Sequence, residues 1–321
     1  MKSSIQLIAG DASYRKFYRI TSNKSTRIIV TANKEKYKNL IAYLAVNKFL
    51  RSKKILTPKL YEYNYNKGII VIEDFGNFSF HKVLSKKKNK LIIYKKIIKF
   101  LIKIKKIKPK SKITSITNKI HKVNKYSNQY LHQESDLFFN WYLPLFLSKK
   151  KTLIIKRKAK KILSKLYKKI NFSNSCFVHR DFHVQNLMKV GKNIGLIDSQ
   201  DALIGNPAYD LVSLVDDVRI KTSTKIKKQI YNYYLKKAPK IYKINPQKFT
   251  EDFNILSVQR SLKIIGIFSR LFIRDKKKQY LKYIPYTWYL LNMRMNSGIF
   301  SDLKKILNDN ISEKLKKKIF V

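Results

Sequence analysis

The first third of the chain alternates short apolar runs with polar turns. SIQLIAG (4–10), KFYRIT (16–21) and TRIIVTA (26–32) are rich in β-branched and aromatic residues, and each predicts a strand. YKNLIAYLAVNKFLRS (37–52) places its apolar residues at helical spacing, and GIIVIEDFGN (68–77) is a further strand run ending at Gly76. The order is β-β-β-α-β, followed by a hinge. From residue 78 the period changes. KLIIYKKIIKFLIKIKKI (90–107) repeats apolar pairs and lysines near 3.6 residues, which predicts a core-facing helix with a solvated lysine face. Residues 127–148 and 152–170 predict two more helices. FVH and IGLID, within 175–200, read as short strands flanking a loop, and helices return from about 208. Pro109 and Pro239 mark breaks. The expected fold class is α+β and bilobal. Residues 1–77 form a small antiparallel β-sheet lobe with its hinge, and residues 78–321 a larger, mainly helical lobe.

Composition narrows the classes open to such a chain. Its 321 residues, 44% hydrophobic and 13% aromatic, describe a folded protein with a substantial core. The charge-free stretches 137–148 and 283–293 are too short to span a bilayer. The N-terminus, MKSSIQLIAGDASY, makes a poor signal peptide. Cys176 is the only cysteine, so there is no internal disulfide, and a reducing, cytoplasmic location is expected. The formal charge is +52. A surface built to read phosphates favours the forked guanidinium of arginine, yet only eleven of the 71 basic residues are Arg and the lysines run along the whole chain. The charge therefore reads as compositional bias, with nonspecific polyanion binding expected in vitro.

The chemistry concentrates in CFVHRDFHVQN (176–186) and IGLIDSQDA (194–202). The first fits H-x-D-x-x-x-x-N, which in protein kinases holds a catalytic Asp and a metal-binding Asn. Asp181 would meet an acceptor hydroxyl, while Asn186 and Asp198 would offer oxygens to a Mg²⁺ on the phosphates of ATP. Mg²⁺ takes few protein oxygens and fills its shell with phosphate and water. His179 is expected to brace the loop backbone. His183 is a candidate substrate contact or a structural residue, and Asp201 a candidate ligand or outer neighbour of the metal. Asp210 would start a helix or pin the loop.

HRDFHVQNLM followed by IGLIDSQDALIGNPAYDLVSLVDD resembles the aminoglycoside phosphotransferase and choline kinase superfamily, which has a protein-kinase-like fold. More narrowly, GDASYRKFYRI (10–20), ESDLFFNWYLP (134–144) and QRSLKIIGIFSRLFIRDKKKQYLKYIP (259–285) are similar to segments of the bacterial kinases that phosphorylate the anomeric hydroxyl of N-acetylmuramate and N-acetylglucosamine in cell-wall sugar recycling. The resemblance covers nearly the whole chain. It implies that Asp181 is the general base, that Asn186 and Asp198 hold Mg²⁺, and that Gly10, Asp11, Ala12 and Ser13 cover the ATP phosphates. Glu73, Asp74 and Phe75, up to Gly76, then form the hinge beside adenine. Glu134, Arg260 and Arg270, with Lys263, are candidates for the acceptor site; Trp141, Phe138 and Phe268 read as core. Arg15 and Arg19 read as surface residues of a strand. Three features depart from these patterns. TRIIVTA has no central Lys of the kind protein kinases use on phosphate, although the subgroup also lacks it. Ser199 stands where Phe would follow the metal Asp, and TANKE (31–35) replaces the subgroup's usual turn.

Two other readings stay open at this point. The acceptor could be another small alcohol, aminoglycoside-like or choline-like. With 19 acids in the chain, a polycationic acceptor is disfavoured. The charge also admits a nucleic-acid-binding pseudokinase, which an intact Asp181, Asn186 and Asp198 set opposes.

Overall fold

A computed structural model of the chain describes residues 4–9, 15–22, 25–32, 37–116, 118–238 and 244–318. The chain divides into two compact units, Met1–Asn124 with Cys176–Ile204, and Lys125–Ser175 with Gly205–Val321.

The first unit carries a five-stranded antiparallel sheet in the order β1-β2-β3-β5-β4. Its strands are β1 (Ser4–Ala9), β2 (Arg15–Ser22), β3 (Ser25–Ala32), β4 (Leu60–Asn64) and β5 (Ile69–Glu73). Alternation fixes the inward face: Ile28, Val30 and Ala32 on β3 and Ile70 and Ile72 on β5 are buried, because successive strand side chains point to opposite faces. Helix α1 (Tyr37–Ser52) closes that face with Leu40, Tyr43 and Leu44. Burying each Leu, Ile or Val side chain stabilises the fold by about 1.5–3 kcal/mol. β4 went unread in the sequence because four of its five residues are exposed, so LYEYN shows no apolar alternation. Gly68 closes the β4–β5 turn at φ +64°, and a Cβ there would sit 2.1 Å from the Ala32 carbonyl oxygen.

Helices α2 (Phe80–Lys86) and α3 (Lys90–Lys105), the hairpin β6 (Lys112–Thr114) and β7 (Ile120–Lys122), and strands β8 (Cys176–Val178), β9 (Leu187–Val190) and β10 (Asn193–Leu196) complete the unit. α3 shows the apolar face its period predicts. Lys105 is the exception to the solvated lysine face: it is 2% exposed and donates to the Phe177 carbonyl at 2.8 Å.

The second unit is helical. The expected single helix over 127–148 is instead α4 (Asn128–Leu137), a π-helical turn (Phe138–Tyr142) and a 3-10 turn (Leu143–Leu145). Its neighbours are α5 (Lys149–Lys168), α6 (Tyr209–Val215), α7 (Thr224–Lys237) and the 30-residue α8 (Pro246–Asp275). α8 packs against α4 and the π turn. Gly266 permits the approach, since a Cβ there would meet the Leu137 carbonyl carbon at 2.3 Å. Phe138, Tyr142 and Trp288 form one buried aromatic cluster, and Phe268 stacks on Tyr280. Among the described residues no helix is long and apolar enough to cross a membrane.

Asp216 anchors a buried ionic cluster in this unit. Arg294 grips it with two bonds of 2.8 and 3.0 Å, Ser257 Oγ donates at 2.7 Å, and Lys227 Nζ lies 3.3 Å away. Burial alone would raise the Asp216 carboxyl, but the charges of Arg294 and Lys227 and the bonds from Arg294 and Ser257 outweigh it and hold it below the ordinary range. A depressed folded-state value means the stabilisation is complete above the unfolded value, about 3.9, and is lost as pH falls through the folded one. Thermal unfolding followed from pH 6 to 3 should show stability falling below about pH 4. Asp216→Asn should cost about 3–5 kcal/mol at neutral pH by leaving buried cations uncompensated and should flatten that acid limb.

Candidate active site

Strand β8 delivers His179–Asn186 as a loop, and the β9–β10 hairpin returns the chain to Ile197–Gln200. This corrects the expected pair of flanking strands: β9 lies between them, turned by Gly191 at φ +55°. Backbone bonds wind the loop tightly, from His183 N to Asp181 O at 2.9 Å and from Asn186 N to His183 O at 3.0 Å. The Ile197 peptide then ties the two motifs together. Its N–H donates to Asn186 O at 3.1 Å, and its carbonyl accepts from His179 Nε2 at 3.0 Å. His179 is fully buried and braces the backbone as expected. Arg180 (φ +73°) and Asp198 (φ +64°) adopt left-handed backbone, a costly conformation for residues with a Cβ that concentrates at functional sites.

Asn186 donates from Nδ2 to Asp181 O at 3.0 Å, so nitrogen is the turned-in end of its amide. Asp198, 38% exposed at its side chain, accepts at Oδ1 from Arg15 Nη2 at 2.9 Å and Gln200 Nε2 at 3.1 Å. The same Gln200 amide reaches Asp201 Oδ2 at 2.8 Å. His183 is buried beside Asn186, its Nε2 3.4 Å from Nδ2. Among the described residues no three His, Cys, Asp or Glu side chains cluster to hold a metal. The donor set beside the Ile197 peptide is one amide oxygen and one carboxylate. That set suits a hard cation which completes its shell with phosphate and water, as Mg²⁺ does.

Of the expected nucleotide contacts, Gly10, Asp11, Ala12 and Ser13 lie outside the described residues, as do residues 33–35 of TANKE. Glu73 ends β5, and its Oε2 accepts from Lys59 N at 3.1 Å. Asp74 is held by Arg19 through bonds of 2.5 and 2.9 Å and by Gly76 N at 2.8 Å. Phe75 lies against Gly195 of β10, where a Cβ would come within 2.6 Å of its ring. The segment after it grips the loop: His81 N donates to Val184 O at 3.0 Å and Lys189 N to Phe78 O at 2.7 Å. Hinge, hairpin and loop are thus one connected piece of the first unit.

Glu134, Arg260 and Arg270 belong to the second unit. Glu134 is buried and receives bonds from Tyr126 Oη, Gln259 Nε2 (3.1 Å) and Lys263 Nζ (2.8 Å). Arg260 is 3% exposed on α8, and Arg270 is half-buried. Asp210 is buried in the first turn of α6.

Three residues of the site escaped the sequence reading. Arg15, expected on the strand surface, is 7% exposed. Gln200 bridges two carboxylates. Asn47 on α1 accepts from Ser199 Oγ at 2.6 Å, which explains why a small hydroxyl stands where Phe is usual: it fastens the segment beside Asp198 to α1. Asn47 also bonds Tyr43, whose hydroxyl burial pushes up to about 12.

Similarity to known proteins agrees with this geometry. Solved structures sharing the fold include an ADP-bound aminoglycoside phosphotransferase (TM-score 0.59, 14% identity, covering 90% of this chain and 92% of that one). An ethanolamine kinase of Plasmodium vivax is also among them (TM-score 0.62, 13% identity, covering 94% and 84%). The fold is therefore the protein-kinase-like α+β fold expected. Residues 4–243 match the phosphotransferase enzyme family, APH, and the chain belongs to that family. The expected enzyme class, a phosphotransferase with an alcohol group as acceptor, accords with that membership. Among its relatives, the N-acetylmuramate/N-acetylglucosamine kinase of Neisseria meningitidis serogroup B is 26% identical over 280 residues, covering 86% of this chain and 81% of that protein. The enzyme of the same name from Pseudomonas aeruginosa is 27% identical over 281 residues, covering 86% and 79%.

Replacing Asn47 with Ala strands the buried Ser199 hydroxyl. The expected cost is about 1–3 kcal/mol, read by denaturant unfolding, and a Ser199→Ala/Asn47→Ala cycle should show strong non-additivity.

Proposed function

We propose that this protein is an ATP-dependent kinase of amino sugars that phosphorylates the anomeric hydroxyl of N-acetylmuramate or N-acetylglucosamine. The observation that carries the acceptor is the similarity, over four-fifths of its length, to the Neisseria meningitidis kinase of that name. The joined Asp181, Asn186 and Asp198 segments support the chemistry. In this reading residues 1–77 supply the nucleotide contacts, with Gly10–Ser13 on the phosphates and Glu73–Phe75 beside adenine, and the catalytic loop lies in 78–321.

Asn186, through Oδ1, and Asp198 would hold Mg²⁺. Bound there, the ion would neutralise charge on the transferring phosphoryl group. Asp181 orients the sugar hydroxyl and accepts its proton late, because phosphoryl transfer needs alignment and charge complementarity more than covalent catalysis. His179 and the Ile197 peptide keep Asp198 in register with Asn186. Gln200 holds Asp198 and Asp201 at fixed spacing. His183 and Asp201 are proposed to approach the acceptor, and Glu134, Arg260 and Arg270 are kept as proposed substrate-binding residues.

Incubation with MgATP and each sugar, followed by NMR of the product, should show a C1 phosphate. Phosphate appearing only on choline or an aminoglycoside would move the acceptor, and no transfer to any alcohol would overturn the reading. Asp181→Ala should lower kcat by about 10²–10⁴-fold while MgATP still binds, and Asp198→Ala should abolish magnesium-dependent nucleotide uptake in calorimetry.

A further inference from the structure

Arg15 opens β2, two residues after Ser13 in the sequence, and its guanidinium is enclosed. It lies 5.7 Å from the Phe17 ring and 6.0 Å from that of Tyr43. It donates to Asp198 Oδ1 at 2.9 Å and Gln200 Oε1 at 2.8 Å. A guanidinium keeps its charge at any accessible pH, and burying it is costly unless it is paired. Its partner carboxylate is the one expected to hold a divalent cation. Two cations on one carboxylate repel each other unless an anion comes between them.

No other cation of the adjacent strand serves this place. The inward positions of β3 are Ile28, Val30 and Ala32. The strand's one cation, Arg27, is exposed, bonded to Glu62 at 3.0 Å and set 4.8 Å over the Tyr61 ring.

Resting on the proposed nucleotide reading, we propose that Arg15 is a nucleotide-phosphate residue that also positions Asp198. When a magnesium nucleotide arrives, the guanidinium passes from the Asp198 carboxylate to a phosphate oxygen, and Asp198 turns to the metal. Until then it holds Asp198 in place and keeps bare divalent ions off it. The strand thus does without a phosphate lysine because the cation enters from β2. Arginine suits the task, since its fork can span two acceptors where an ammonium presents one point charge.

The test is binding to the full chain without any acceptor, Arg15→Gln against the parent. Calorimetry with MgATP should show affinity falling about 10–100-fold, the loss of a charge-assisted contact. Manganese alone, followed by electron paramagnetic resonance, should bind several-fold tighter, because a competing cation has gone. Opposite signs are the mark of this role, since a residue that only supports the fold would weaken both. Equal MgATP binding, or changes of the same sign, overturns the inference. If Arg15→Gln unfolds, Arg15→Lys decides. It should retain the parent's weak manganese binding but lose several-fold in MgATP affinity, and undiminished MgATP affinity there counts against the proposal. A parent that takes up no nucleotide overturns the kinase reading together with this one. A parent that binds, matched by its variants, overturns this one alone.

Discussion

The peptide of Ile197 is the constraint on which the site depends. Both of its polar groups are taken by the loop 176–186, the N–H by Asn186 and the carbonyl by His179. Backbone donors and acceptors withdrawn from water need partners, and here one peptide finds both of its partners on the same loop. Once this one is satisfied, Asn186 and Asp198 are neighbours in space although eleven residues separate them in the chain. The two left-handed residues sit beside these contacts: Arg180 follows His179, and Asp198 follows Ile197.

Around that peptide the first unit is assembled from small, specific attachments. Ser199 is fastened to α1 through Asn47, Phe177 to α3 through Lys105, and Val184 to the segment after the hinge through His81. Each joins one of the two motif segments to a different element. A hydrogen bond to a charged group such as Lys105 contributes more than a neutral one. The buried ionic cluster on Asp216 does comparable work in the helical unit.

Much of this was legible from one sequence. β3 and β5 announce themselves because buried and more exposed positions alternate along them, and α1 because its apolar residues recur at helical spacing. β1 and β2 were legible only as short apolar, β-branched runs, and residues 4–8 of β1 are in fact exposed. The motif residues were visible because their order and spacing are chemically restrictive. What stayed hidden was of two kinds. β4 and the short β6–β7 hairpin expose most of their residues and carry no period. Arg15, Asn47 and Lys105 look like ordinary polar residues, and their roles depend on partners far away in the chain. Arg15 and Asp198 are 183 positions apart, and Asn47 and Ser199 are 152. Nothing local distinguishes Lys105 from its solvated neighbours on α3. The π turn at Phe138–Tyr142 was hidden for another reason: apolar residues at helical spacing fit both a regular helix and a widened one.

Arginine is scarce in this chain, and its placement is selective. Arg19 and Arg294 each clasp one carboxylate with two nitrogens, and Arg15 joins two different acceptors. The buried lysine Lys263, by contrast, meets its carboxylate at a single oxygen. In a protein whose default cation is lysine, a guanidinium therefore flags where shape matters as well as charge. Surface engineering that lowers the charge for crystallisation can therefore draw on exposed lysines that hold no partner segment, unlike Lys96 and Lys103, provided these three arginines are left as they are.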